Sequence, residues 1–124
     1  MTQINIDVWL YGELARFGGQ INQGSYSNPV IELIEGGTIR DLLLCLQMPT
    51  EVRGITFING KLSAMPGLQP DLEHPLQDGD RVAFFHLRSM WPFQYRSGVA
   101  MIDEMAKAMV SNDDQGIHHG YLKE

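Results

Sequence analysis

The sequence holds a single cysteine, Cys45, among its 124 residues, so the chain can form no disulfide within itself. Disulfides are typical of secreted proteins, and we therefore expect a reducing, cytoplasmic environment. The sequence also lacks a long apolar run of the kind that spans a bilayer, and its first residues lack the basic and apolar regions of a signal peptide. We accordingly expect neither a membrane span nor export.

Basic residues are scarce as well. Only 9 Lys and Arg stand against 15 Asp and Glu, which gives a formal net charge of −6. A surface that binds nucleic acid needs clustered Lys and Arg, so this balance argues against nucleic acid as the partner. It suits a protein whose partners carry basic patches. A chain of this length is expected to build one main core.

The stretch around residues 35–46 predicts one amphipathic helix. Gly36 and Gly37 interrupt what precedes it, and Thr38 is a good N-cap because its hydroxyl can accept a hydrogen bond from the first turn. Asp41 follows three residues later, where its carboxylate can bond back to the cap. Arg40 is expected to be exposed. The apolar residues at the spacing of one helix face are expected to be core: Ile39, Leu42, Leu43 and Leu46.

Strand patterns lie on both sides of this helix. Ile4–Leu10 alternates apolar with other side chains, which predicts a strand with one buried face. Tyr11–Phe17 is expected to add a helical turn, Gly18–Asn28 to form a loop or hairpin connection, and Met65–Pro75 to be mostly irregular. The remaining predicted strands are Pro29–Ile34, Gly54–Ile58, the short Lys61–Leu62 and Arg81–Phe85. Asn59-Gly60 is expected to form the hairpin turn before Lys61–Leu62.

The order of these elements predicts an α+β fold in which one main helix crosses one face of a mixed sheet. The two N-terminal strands are too close in sequence for a helical crossover, so they are expected to form a hairpin. This arrangement is the β-grasp, or ubiquitin-like, fold, and we assign it to residues 1–88. The Ile4–Leu10 strand is expected to be central and to pair with both Val30–Ile34 and Arg81–Phe85.

Residues 89–124 are predicted to form a C-terminal extension with one amphipathic helix. Asp103 and Glu104 lie in its first turn and Lys107 follows, as the helix dipole favours. The apolar stripe of this helix consists of Val99, Ile102, Met105, Ala106 and Met109. We expect the stripe to pack on the β-grasp domain or on a second copy of the chain, which would give a homo-oligomer through the extension.

An aromatic stretch precedes that helix. It consists of Trp91, Phe93 and Tyr95, and Arg96 follows directly. Two interpretations stay open. The rings fold back and cover the core of the domain, or they form an exposed anchor for a protein partner, because Trp, Tyr and Arg are typical of interface hot spots.

Histidine and cysteine offer only weak candidates for chemistry. His118 and His119 lie near two aspartates and could bind a divalent ion, but the ligand spacing of a zinc site is missing, and the alternative is a plain polar tail. Cys45 is expected to be a small buried residue rather than a nucleophile. His86 is expected to end a strand rather than act as a general base. We expect no catalytic residue, no cofactor and no enzymatic activity.

Three segments resemble the MoaD/ThiS family, the ubiquitin-like sulfur carriers of molybdenum-cofactor and thiamine biosynthesis. They are Glu35–Leu43, Phe57–Lys61 and Pro75–Phe85, and the resemblance covers about residues 4–85. The most specific part is the run Leu-x-Asp-Gly-Asp-x-Val-Ala-Phe-Phe that ends at Phe85. The resemblance implies a β-grasp fold and a carrier of activated sulfur. In that family a partner enzyme adenylates the C-terminal Gly-Gly, which is then converted to a thiocarboxylate.

The chain departs from this family where the carrier tail would end, near Met90 and Trp91, because no Gly-Gly stands there. In one version the chain is a precursor, and a protease exposes Gly98 or Gly120 as the working terminus for an adenylating or sulfur-transfer enzyme. In the other version the fold serves as a protein-interaction module or subunit without carrier chemistry. A small metal-binding protein is a third, distinct class.

Overall fold

The computed structural model describes residues 2–21, 25–87 and 100–110. In chain order the elements are β1 (Gln3–Tyr11), a 3-10 segment (Gly12–Ile21), β2 (Tyr26–Ser27), β3 (Val30–Ile34), α1 (Ile39–Leu46), a 3-10 turn (Thr50–Val52), β4 (Arg53–Ile58), β5 (Lys61–Ala64) and β6 (Arg81–His86). A further helix, α2, spans residues 103–110. None of the helices in these ranges has both the length and the apolar character that crossing a membrane requires.

The strands form one mixed sheet of six strands in the order β2-β1-β6-β4-β5, and β3 lies beside β2 along the same edge of β1. The central strand β1 pairs antiparallel with β3 and parallel with β6. This confirms the predicted pairing of Ile4–Leu10 with both Val30–Ile34 and Arg81–Phe85. The described chain therefore has an α+β architecture around a mixed sheet.

Helix α1 begins as its sequence predicts. The Thr38 hydroxyl accepts a hydrogen bond from the amide of Asp41 at 3.3 Å, and the Asp41 carboxylate accepts one from the amide of Thr38 at 2.9 Å. Gln47 ends the helix in a left-handed conformation, at φ 56°. Arg40 is exposed, and the four predicted core residues, Ile39, Leu42, Leu43 and Leu46, are all buried.

The main core lies between α1 and one face of the sheet. The even-numbered residues of β1 point into it, because successive side chains of a strand alternate between its two faces. Val82 and Phe84 of β6 are fully buried beside them. The core residues that β1 contributes are Ile4, Ile6, Val8 and Leu10.

Residues 100–102 extend the sheet beyond β5. The amide of Leu62 donates to the carbonyl of Ala100 at 2.7 Å, and the amide of Ile102 donates back to the carbonyl of Leu62 at 3.1 Å. Ile102 and Met105 are buried in the same core cluster as α1. The first part of the extension thus packs on the sheet domain. The domain boundary after residue 88 stays a prediction.

The apolar stripe of α2 is narrower than predicted. Met109 packs partly buried against the core, but Ala106 is exposed. Ile102, Met105 and Met109 contact the core, whereas Ala106, the i+4 position of the same face, lies at its margin and stays exposed. Val99 lies outside the described residues.

The segment Gly18–Asn28, predicted as a loop or hairpin connection, takes the hairpin form and contains regular structure. The 3-10 segment continues to Ile21, and β2 pairs antiparallel with β1. The reason is a close approach of the two segments: the hydroxyl of the buried Ser27 donates to the carbonyl of Ala15 at 2.9 Å, and a Cβ on Gly18 would collide with that hydroxyl. Cys45 is exposed rather than buried, because α1 turns its Leu42, Leu43 and Leu46 face to the core.

A buried ion pair fastens the irregular segment 65–80 to the sheet. The side chains of Arg53 and Asp71 have no exposed surface, and their two nitrogen–oxygen contacts measure 2.7 and 2.9 Å. The Ser63 hydroxyl donates to the Asp71 carboxylate at 2.8 Å, and Arg53 Nε donates to the Thr50 hydroxyl at 3.0 Å. The pair is therefore fully hydrogen-bonded by β5 and by the turn before β4.

Two neighbouring leucines of α1 provide a matched test of the packing. Leu43→Ala removes a buried side chain and is expected to lower the free energy of unfolding by about 2–5 kcal/mol. Leu44→Ala removes a side chain that is 69% exposed, and we expect a change within about 0.5 kcal/mol. Urea unfolding of both variants measures the difference. A loss below about 1 kcal/mol for Leu43→Ala would show that α1 packs on another face.

The ion pair predicts a strongly non-additive pair of substitutions. Asp71→Ala leaves the Arg53 guanidinium buried and unpaired, and is expected to cost about 3–5 kcal/mol in the free energy of unfolding. The double variant Arg53→Met, Asp71→Leu removes both charges and should recover much of that loss. Chemical denaturation measures all three proteins. A double variant less stable than Asp71→Ala would contradict this interpretation.

Candidate functional site

A row of aromatic rings crosses the face of the sheet opposite the core. We define the aromatic row as Trp9 and Tyr11 of β1, Tyr26 of β2, Phe57 of β4 and Phe85 of β6. Consecutive ring centroids lie 5.8 Å (Tyr26–Trp9), 6.1 Å (Trp9–Tyr11), 4.7 Å (Tyr11–Phe85) and 6.2 Å (Phe85–Phe57) apart. These separations are typical of favourable aromatic pairs. The row therefore spans four neighbouring strands without a break.

The position of the row follows from the alternation of β1. The residues between its core side chains point to the other face, and strand register then fixes their neighbours. Trp9 lies opposite Ala83, and Ala83 lies opposite Phe57 on the far side of β6. The rings are half-buried, and Tyr26, at the end of the row, is 37% exposed. Aromatic side chains of this kind are enriched in protein–protein interfaces.

An ion pair lies beside the aromatic row. Arg81 Nε donates to Asp7 Oδ2 at 3.2 Å, and the same carboxylate accepts hydrogen bonds from Asn28 at 2.8 Å and from the Trp9 indole at 3.3 Å. Burial raises the pKa of Asp7, but the hydrogen bonds from Asn28, Trp9 and Arg81 outweigh it, and the net pKa lies below its ordinary value. Asp7 thus stays ionised and fixes the orientation of the Trp9 ring.

Two tight turns meet at the same end of this face. Asn59 precedes Gly60 in the β4–β5 turn, and its side chain donates to Asp80 at 2.9 Å and accepts from the amide of Arg81 at 2.9 Å. Gly60 and Gly79 have φ angles of 81° and 87°, which favour glycine at both turns. Together with three rings of the aromatic row, Tyr11, Phe57 and Phe85, they border a depression of about 590 Å³. The face thus offers aromatic area, a charged pair and a concave surface.

Most of the predicted site residues fall outside the described part of the chain. This holds for the aromatic anchor Trp91, Phe93, Tyr95 and Arg96, for the glycines Gly98 and Gly120, and for His118 and His119. Their roles stay predictions. Among the described residues, no group of three or more His, Cys, Asp or Glu side chains is close enough to hold a metal ion. His86 ends β6, with its Nε2 atom 3.8 Å from Glu13 Oε1.

The aromatic row itself was not predicted. Its sequence signal is the pair Trp9 and Tyr11, two residues apart on a strand whose other face is core. The rest of the row comes from β2, β4 and β6, and only the long-range register brings those rings alongside.

The Asp7 cluster predicts a measurable pH dependence. Because its pKa is lower in the folded state, ionised Asp7 stabilises the fold in full above its ordinary pKa of 3.8, and this contribution is lost as the pH falls through the folded-state pKa. Asp7→Asn should lower the free energy of unfolding by up to about 1 kcal/mol at neutral pH. Relative to wild type, it should lose less stability on acidification.

Urea unfolding at neutral and acidic pH checks this, with the exposed Glu51→Gln as the control that changes the same charge elsewhere. An Asp7→Asn variant whose stability falls with acid as steeply as that of wild type would contradict the assignment.

Comparison of the chain with protein-family models, with curated proteins and with solved structures found no match. The observations that bear on function are therefore the strand topology and the chemistry of the sheet face.

Proposed function

We propose that this chain is a β-grasp protein of the MoaD/ThiS type that acts through protein partners bound at the aromatic row. The observation that carries the fold assignment is the position of β1. It forms a hairpin with β3, α1 follows, and β6 returns to lie parallel to β1 on its other side. A central N-terminal strand between a hairpin partner and the last strand of the domain is the arrangement that the resemblance implies.

The segments that carry the resemblance also meet in space. The turn after Phe57 and the Asp78-Gly79-Asp80 turn are joined by the Asn59 hydrogen bonds beside the aromatic row. The Glu35–Leu43 segment supplies the cap and first half of α1. These contacts support the family proposal, because each motif performs a distinct structural task in one fold.

The two versions of the proposal differ in the C-terminal segment, and the packing of α2 favours one of them. A terminus at Gly98 would remove the whole segment 99–124, and with it the buried Ile102 and Met105. It would also break the hydrogen bonds between Leu62 and residues 100 and 102. Burial of side chains of this size contributes about 1.5–3 kcal/mol each, so cleavage there would open the core. A terminus at Gly120 would keep α2.

A hydrogen bond also holds α2 to the loop before β6. His74 Nδ1 and Glu104 Oε2 are 2.7 Å apart. Burial raises the pKa of Glu104, but several contacts together lower it by more, and the hydrogen bond with His74 is the largest of them. The net pKa of Glu104 therefore lies below its ordinary value. We therefore propose an interaction module with an intact α2 as the leading function. A carrier processed at Gly120 is the second candidate, because this cleavage keeps every buried residue that the structure describes.

Intact-mass measurement of the protein isolated from its native cell separates these functions. We expect a chain that retains α2. A mass that ends at Glu124 under all conditions supports the interaction module, and a mass that ends at Gly120 with a gain of about 16 Da, for sulfur in place of oxygen, supports the carrier. A mass that ends at Gly98 would contradict the proposed structural role of α2.

Site-specific photo-crosslinking tests the aromatic row as the partner surface. A photoreactive phenylalanine analogue at Tyr26, the most exposed ring of the row, should link to a discrete protein partner in the native cell. The same analogue at the exposed Glu51 is the control. Equal crosslinking from both positions, or none from Tyr26, would count against the row as the binding surface.

A further inference from the structure

A second surface lies at the β3 edge of the sheet, away from β5 and α2. Three apolar side chains are exposed there: Val30 at 66%, Ile34 at 53% and Leu44 at 69%. Single exposed apolar residues are ordinary, but these belong to one strand and the helix that follows it. Ile34, Leu44 and Cys45 also line a groove of about 520 Å³ between β3 and α1.

In the part of the chain that the structure describes, β3 pairs only with β1 and has no strand beside its outer edge. The amide of Val8 donates to the carbonyl of Pro29, and the amide of Glu35 donates to the carbonyl of Thr2. In an antiparallel ladder alternate residues direct their backbone groups to the same side, so the odd-numbered positions face β1. The backbone groups of Val30 and Glu32 therefore point outward, where an added strand would bond to them.

Among the residues that the structure describes, the charged side chains that line the groove are all acidic. They are Glu32, Glu35 and Asp41. A second copy of the chain is a poor occupant, because a symmetric antiparallel pairing centred on Glu32 sets two glutamates directly opposite each other. A strand that carries a basic residue opposite Glu32 would instead place a cation against that carboxylate.

We propose that the β3 edge binds an extended segment of a partner protein by strand addition, and that this segment alternates apolar and basic residues. Its apolar side chains face α1 and fill the groove at Leu44 and Cys45. Its basic side chains lie on the other face, beside Glu32 and between Val30 and Ile34. Main-chain hydrogen bonds hold the strand, and the alternation sets its specificity. This binding is independent of the aromatic row and of any carrier chemistry.

A labelled synthetic peptide of alternating lysine and valine is the probe, and its affinity for the full-length protein is measured by fluorescence anisotropy. We expect Glu32→Lys and Leu44→Glu each to weaken binding by at least about fivefold, the effect of losing one good cross-strand contact. The matched controls are Glu51→Lys and Val110→Glu, which make the same changes at exposed positions elsewhere. They should bind as wild type does.

Two further peptides test the mode of binding. A peptide with glutamate in place of each lysine should bind much more weakly, and one whose backbone amides are N-methylated should lose the main-chain donors that strand addition needs in either strand direction. Amide shifts in the NMR spectrum should concentrate in β3 and α1.

Several outcomes would overturn the proposal. Equal binding of the lysine and glutamate peptides would show that the β3 edge does not prefer a basic strand. Control variants that weaken binding as much as Glu32→Lys and Leu44→Glu would show that the peptide does not bind at this edge. Undiminished binding of the N-methylated peptide would exclude strand addition. A concentration-dependent dimer that Glu32→Lys alters would assign the edge to a second copy of the chain instead.

Discussion

The fold depends on the position of β1, which pairs on both of its edges and must satisfy different environments on its two faces. Its even-numbered side chains close the core against α1, while Asp7, Trp9 and Tyr11 build the opposite face. A shift of one residue in register would exchange these two sets. The hydrophobic core and the aromatic row therefore follow from the same alternation, and neither can change without the other.

The buried pair of Arg53 and Asp71 performs a second task, which hydrophobic packing alone cannot perform. It fixes a long irregular segment to the sheet by directional bonds, and Ser63 and Thr50 complete the set of partners. That segment carries His74, which contacts α2. The position of α2 is thus coupled to the sheet through the loop as well as through β5.

Sequence patterns predicted the elements that depend on local periodicity or on a cap. The alternation of β1 and the capping box of Thr38 and Asp41 each occupy a few consecutive residues, so they can be read before the fold is known. The ion pair of Arg53 with Asp71 joins residues in separate elements and leaves no periodic signal. The aromatic row likewise required the register between strands that are distant in sequence.

The helical spacing after Gly98 predicted α2 but left open whether it packs on this domain or on a second copy, and the structure shows its contact with the core of the same chain. This contact distinguishes a domain with an integral extension from a carrier with a removable one. The functional proposal consequently depends on how firmly residues 100–110 hold to β5 and the core, more than on any single motif.

Amide hydrogen exchange of the full-length protein measures that attachment most directly. If the extension is an integral part of the fold, the amide of Ile102, bonded to the carbonyl of Leu62, should be protected nearly as well as the amide of Val8 in β1. Rapid exchange at Ile102 while Val8 stays protected would show that the extension opens independently, and would contradict the role assigned to it here.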